Sequence, residues 1–197
     1  KLVKSGSNVV YEVAAQRTDV DQNIYTNIFY TMNNNKLTAV AETIVTSKEG
    51  LPFQYTQINF DWPKMKAYYT NKDLSNNKTG SKTINLNPKT MLARSSSFFF
   101  QNMIANKIPR DTFTLITPTG DSYGMSATVY YTPLTITVQG KAFQCYRVNM
   151  KADLGILAMI LPDMNFYFQT EAPYEFVKYE GPQEGPTSPN IIQEVIL

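Results

Sequence analysis

A period of two runs through nearly the whole chain, and it constrains the fold before any motif does. Val9, Tyr11 and Val13 alternate with Asn8, Val10 and Glu12, and Ile24, Thr26 and Ile28 open a second run that reaches Tyr30. Alternation loaded with β-branched and aromatic residues marks half-buried strands. The pattern returns over Leu37–Thr46, Phe53–Phe60, Met65–Thr70 and Lys82–Leu86, then over Thr112–Thr117, Tyr123–Tyr131, Leu134–Val138, Phe143–Met150, Asn165–Thr170, Tyr174–Tyr179 and Ile191–Leu197. Between the runs lie turn formers: Met32–Asn35, Lys48-Glu49-Gly50, the polar tip Asn71–Gly80, and Gln139-Gly140. Asparagine and glycine accept the backbone angles that tight turns need. Consecutive hairpins of this kind make an antiparallel meander. Lys1–Ser7 reads as a slack lead-in, and the Pro/Gly-rich stretch 181–189 as a loop before the closing strand.

One segment breaks the period. From Ser95 to Asn106, Phe99 with Met103 and Phe100 with Ile104 repeat at helical spacing, serines 95–97 are available as N-cap, and Pro109 ends the pattern. A helix with three consecutive phenylalanines needs a broad apolar surface, which in a strand-rich chain is the inner face of a sheet. The expected fold is mainly β: a single highly curved antiparallel sheet, a half-open or closed barrel, packed around one main helix. All 197 residues are expected in one domain.

Composition removes most chemistry. The chain has no histidine and a single cysteine, Cys145. Ser-His-Asp and Cys-His nucleophile systems are therefore excluded within this chain, as are zinc sites of the His/Cys kind. No cofactor or metal is expected. A net charge of +2 argues against nucleic acid, whose phosphates demand a basic patch. The polar surface comes instead from Tyr, Thr and Asn. No stretch reaches the ~18 apolar residues of a membrane helix. The start at Lys1 suggests a processed chain, periplasmic or extracellular, with a secretory signal or lipid anchor upstream.

The hairpin Gly140-Lys141-Ala142-Phe143-Gln144-Cys145-Tyr146-Arg147-Val148 and the segment from Phe166 to Gly181, with Ala172-Pro173 between its strands and Val177-Lys178-Tyr179-Glu180 near its end, resemble the second half of an uncharacterised bacterial periplasmic family. The resemblance covers the last third of the chain. It implies a strongly bent antiparallel sheet, similar in shape to lipoprotein-localisation carriers, with a helix plugging the concave side. It carries no catalytic residues across.

Several constellations compete with plainer readings. Asp19, Asp21 and Asn23 sit at calcium-loop spacing, but Ile24 and Tyr30 occupy the positions that need glycine and glutamate, so a polar turn explains them. Asn77-Lys78-Thr79 matches a glycosylation sequon by chance. Glu42, Asp61, Asp163 and Glu171 could supply a carboxylate pair for glycan hydrolysis, with Trp62 as a stacking platform, yet no spacing selects a pair. Arg147, two residues from Cys145, could activate the thiol, although a lone strand cysteine ordinarily packs inertly. The apolar surplus is the strongest signal: Phe98, Phe99, Phe100, Met103 and Ile104 on the helix, and Leu157, Met159, Ile160 and Leu161 in the segment 154–161, expected as a short helix or flap. Flexible methionine suits an adaptable apolar site, while the same residues would also make an ordinary helix-on-sheet core, the two readings differing only in whether the space is filled. The leading expectation is a non-catalytic cell-envelope protein holding a lipid, a lipoprotein or another apolar ligand against Phe99, Phe100, Met103, Ile104, Leu157, Met159 and Trp62. An adaptor binding an envelope protein through a sheet edge or the 154–161 flap is the second, and a carboxylate-based glycan hydrolase the third.

Overall fold

The computed structural model describes residues 2–5, 8–17, 21–33, 36–153, 163–182 and 189–195, with side chains over 8–16, 21–31, 38–153, 163–182 and 189–195. The alternating runs of the amino-terminal half become strands β1 (Leu2–Ser5), β2 (Asn8–Arg17), β3 (Gln22–Asn33), β4 (Lys36–Lys48), β5 (Leu51–Asp61), β6 (Lys66–Asp73) and β7 (Lys78–Asn85). They pair in chain order, every neighbour antiparallel. Glu49 and Gly50 both carry positive φ, which suits the primed two-residue turn of a right-twisted hairpin. Alternation then puts Val9, Ile28, Ile44, Ile58, Ala67, Tyr69 and Ile84 on one buried face.

Two local expectations change here. Part of the lead-in is strand, since Leu2–Ser5 pairs with Tyr11–Asn8; four residues are too few for a period to stand out. The tip at 71–80 is also tighter than expected. The Asp73 carboxylate accepts bonds from the Ser75 amide and hydroxyl and from the Asn76 amide, closing the turn so that pairing runs from Asp73↔Lys78 onward.

The second half contains β8 (Thr90–Leu92), a 3-10 turn (Ala93–Ser95), α1 (Ser96–Ala105), β9 (Arg110–Ile116), β10 (Ser122–Val138), β11 (Lys141–Ala152), β12 (Met164–Gln169), β13 (Phe176–Pro182) and β14 (Asn190–Glu194). Their order in the sheet is β14-β13-β12-β11-β10-β9-β8, antiparallel except for β8 with β9. A parallel pair needs a crossover, and α1 supplies it. No serine side chain caps α1; the Ser95 hydroxyl instead donates to the Leu92 carbonyl at 3.1 Å, because the 3-10 turn already leads into the helix. Tyr123–Tyr131 and Leu134–Val138, expected as two strands, form one strand of 17 residues. Pro133 lies at its register shift between Tyr130 and Leu134, where a ladder N–H is dispensable. The segment expected as a flap, 154–161, lies outside the described residues, as does most of the loop 181–189; Gly181 and Pro182 end β13.

The mainly β class, antiparallel pairing and one principal helix are as expected. The ladder is not one sheet, however. It stops at β7 and a second begins at β8, the break falling at Pro88, which has no N–H to continue a ladder. The chain divides into two compact units, Lys1–Pro88 with Pro118–Asp121, and Lys89–Thr117 with Ser122–Leu197. In the first unit the 118–121 turn is held by Lys82, whose ammonium donates to the Thr119 carbonyl at 3.1 Å and to Asp121 at 2.7 Å.

Candidate functional site

In the second unit, α1 lies on the sheet through Phe100, Met103 and Ile104, all wholly buried. The Phe100 ring centroid is 4.8 Å from that of Phe166, 6.2 Å from that of Phe168 and 6.2 Å from that of Phe113. Phe99 is only half-buried and leans on Phe113 at 4.9 Å. Phe166 continues the chain of rings to Tyr179 at 4.5 Å, and Phe168 to Phe176 at 6.0 Å. Five of the eight methionines join this cluster: Met103, Met125, Met150 and Met164 buried, Met91 at its margin. Polar bonds fix the helix at its middle and at its carboxy-terminal end. Gln101 donates to the Tyr174 carbonyl at 3.0 Å, and the Tyr131 hydroxyl faces the carbonyls of Met103 and Ile108 at 3.2 and 3.3 Å.

The structure thus brings Phe99, Phe100, Met103 and Ile104 together and fills the space beneath the helix with side chains. Leu157 and Met159 lie outside the described residues. Trp62 belongs to the first unit, stacked on Phe60 at 5.7 Å with its indole N–H donating to the Ala39 carbonyl at 2.6 Å.

The opposite face of the second sheet carries its own cluster, Val138, Cys145, Tyr167 and Val177. Burial pushes the Cys145 thiol up to about 11. Arg147 does not engage the thiol; its guanidinium stands 4.4 Å over the Tyr130 ring. Tyr167, raised to about 12 first by burial and then by its bond to a carboxylate, donates to Glu180 at 3.0 Å. Glu180 also takes the Lys178 ammonium at 2.9 Å, which holds its carboxyl below the ordinary range. Beside this pair, Asp163, Asn165, Glu180, Gly181, Asn190, Ile191 and Ile192 line an open groove of about 550 Å³. This groove was not legible in the sequence, because it arises where the ends of three consecutive strands, β12, β13 and β14, are brought side by side by pairing.

The proposed hydrolytic carboxylates are dispersed. Strand alternation turns Glu42 to the buried face of the first sheet and Asp61 to the other, where it pairs with Lys64 at 2.7 Å. In the second unit Asp163 pairs with Lys151 at 3.2 Å, and Glu171 is exposed at a turn that the groove does not include. Among the described residues no three His, Cys, Asp or Glu side chains gather as a metal site, and no helix is long and apolar enough to cross a membrane.

Among the described residues the chain is therefore mainly β, with a helix docked on the second of two sheets. No family model matches it, and neither does any curated protein. Among solved structures it is similar to a β-barrel-like protein of a domain of unknown function, DUF1849, from Brucella abortus, at 12% identity over 88% of this chain and 89% of that one, with a TM-score of 0.41.

Proposed function

We propose that the chain is a non-catalytic cell-envelope binding protein, periplasmic or extracellular, that takes a lipid or another apolar ligand on the helix-bearing face of the second sheet. One observation carries this reading: five methionines and a ring of phenylalanines collect around a single helix. Methionine side chains repack at low cost, so such a cluster can admit an acyl chain that a jigsaw of branched residues would refuse. Since Phe100, Met103 and Ile104 are covered, entry is by way of the half-buried margin, Phe99, Met91, Phe166 and Phe176, with α1 shifting as the ligand goes in. Removal of apolar surface from water at about 25 cal/mol per Å² drives the uptake.

Native mass spectrometry of gently prepared protein, with titration by the fluorescent fatty acid cis-parinaric acid, tests the reading. A bound lipid mass, or saturable probe binding that Phe99→Ala and Met91→Ala weaken, supports it. A folded chain with neither rules it out.

The adaptor reading has one observation of its own. The terminal strand β14 has no lysine and exposes Ile192, 66% accessible, whereas the edge strand β7 carries Lys78 and Lys82. Lysine on an edge discourages pairing with other chains, and β14 lacks that guard.

A further inference from the structure

The outer face of the first sheet holds aromatic residues at positions where a meander ordinarily presents only polar ones. Pairing registers place its side chains in three rows across β3, β4, β5 and β6. The first row is Tyr25, Val45, Tyr55 and Lys72; the second Asn27, Thr43, Gln57 and Thr70; the third Phe29, Ala41, Asn59 and Tyr68. Tyr25 is 55% exposed and Tyr68 41%, with Phe29 and Tyr55 half-buried. Tyr25 and Tyr55 are two strands apart, about 10 Å, and the outer rows are four residues apart, about 13 Å. Among the described residues the hydroxyls of Tyr25 and Tyr68 form no hydrogen bond. The Gln57 side-chain N–H donates to Asn59 Oδ1 at 3.3 Å, which orients both side-chain amides and leaves the Gln57 side-chain oxygen free to accept and the Asn59 side-chain nitrogen free to donate.

We propose that this face binds an extended, uncharged glycan chain, with Tyr25, Tyr55 and Tyr68 stacking on sugar rings and Asn27, Gln57 and Asn59 bonding the hydroxyls between them. A pyranose offers C–H groups on its faces and hydroxyls around its rim, so its receptor needs aromatic planes separated by neutral donors and acceptors. The three rows supply both. The two-strand gap from Tyr25 to Tyr55 is close to the length of a disaccharide in an extended chain.

Charge selects this ligand over the others. Across β3–β6 the central row contains no ionised side chain; Glu12 continues it on β2, and Lys72 ends the first row beside Tyr55. A nucleic acid or an anionic membrane requires a cluster of cations, which these rows do not provide. A protein interface also uses tyrosine and phenylalanine but sets them around an apolar core, and here the row between the aromatics is Asn27, Thr43, Gln57 and Thr70, all polar. The inference concerns the first unit and is independent of the apolar-ligand reading of the second.

Affinity electrophoresis and titration calorimetry of the full chain with laminarin, cellohexaose and chitohexaose test it. Binding of at least one, unchanged from low to high salt, is the expected result. Tyr25→Ala and Tyr55→Ala each weaken it about tenfold, the loss typical of one truncated aromatic anchor, and Tyr25→Phe retains most of it. Should Tyr55→Ala fail to fold, exposed Tyr68→Ala makes the same comparison. No binding to any of the three, affinity indifferent to Tyr25→Ala and Tyr68→Ala, or binding abolished by salt would each overturn the proposal.

Discussion

The two sheets are assembled by the same device, a run of hairpins, yet they treat their faces differently. The first buries one face, lined by Val9, Ile28, Ile44, Ile58 and Ile84, and leaves Tyr25 and Tyr68 of the other exposed. The second has a cluster on each face: Phe100, Met150, Met164 and Phe168 on the side of the helix, and Val138, Cys145, Tyr167 and Val177 on the other. A strand covered on one side alternates cleanly, whereas one covered on both carries apolar residues on successive positions, as in Phe166-Tyr167-Phe168 of β12. The filling differs as well. Stiff β-branched residues suit a pleated surface, whereas a helix crossing a sheet leaves irregular gaps that Phe and Met fill.

The difference is sharpest at two wholly buried positions. Phe100→Ala removes the ring that joins Phe113, Phe166 and Phe168, and destabilises the chain by about 3–5 kcal/mol in urea unfolding followed by far-ultraviolet circular dichroism. Ile58→Ala in the first sheet costs about 2–5 kcal/mol, read with the emission of Trp62, the chain's single tryptophan. Conservative swaps test plasticity more directly. Phe100→Met is tolerated by the methionine-rich cluster, while Ile58→Met, which introduces an unbranched side chain on the pleated face, costs more than Ile58→Val. If Ile58→Met were the milder of the two methionine changes, the contrast in packing would fall.

A smaller effect is expected at Gly120. Its φ is +76°, and a Cβ there would stand 2.6 Å from the Tyr69 ring, so Gly120→Ala combines backbone strain with overlap and costs about 1–3 kcal/mol in the same assay. Smaller again is Tyr131→Phe, which deprives the end of α1 of a hydrogen bond worth about 1 kcal/mol and leaves the apolar contacts intact.

Much of this architecture was legible in the chain. The strands were visible because each carries several turns of a period-two pattern, and the helix because Phe99/Met103 and Phe100/Ile104 break that pattern and Pro109 stops it. What stayed hidden is non-local. Pro88 can interrupt a ladder, but nothing near it says that the strands beyond form a second sheet, since a local pattern records which face a residue takes and not which strand lies beside it. Residue type alone places Trp62 with the helix aromatics, although it belongs to the other unit. The exposed tyrosines were counted in the composition, but only the register reveals that Tyr25, Tyr55 and Tyr68 share one face.

The smallest effect tests whether the second sheet is closed on its far face. Cys145 has no exposed surface, and burial raises its thiol from an ordinary 9 to about 11. The native thiol therefore stays protonated and sheltered at pH 8, and its reaction with DTNB tracks unfolding instead of following a free thiol. The same shift sets a pH window. Below 9 the thiol is protonated whether the chain is folded or unfolded, so stability does not depend on it. Between 9 and 11 the unfolded chain loses the proton first, and stability falls as pH rises. Tyr167, raised to about 12, extends the decline. Cys145→Ala flattens the first part of that slope in urea midpoints measured from pH 8 to 10.5. A thiol that reacts rapidly in the native chain at pH 8 would mean that this face is open, and the contrast between a one-faced and a two-faced sheet would not stand.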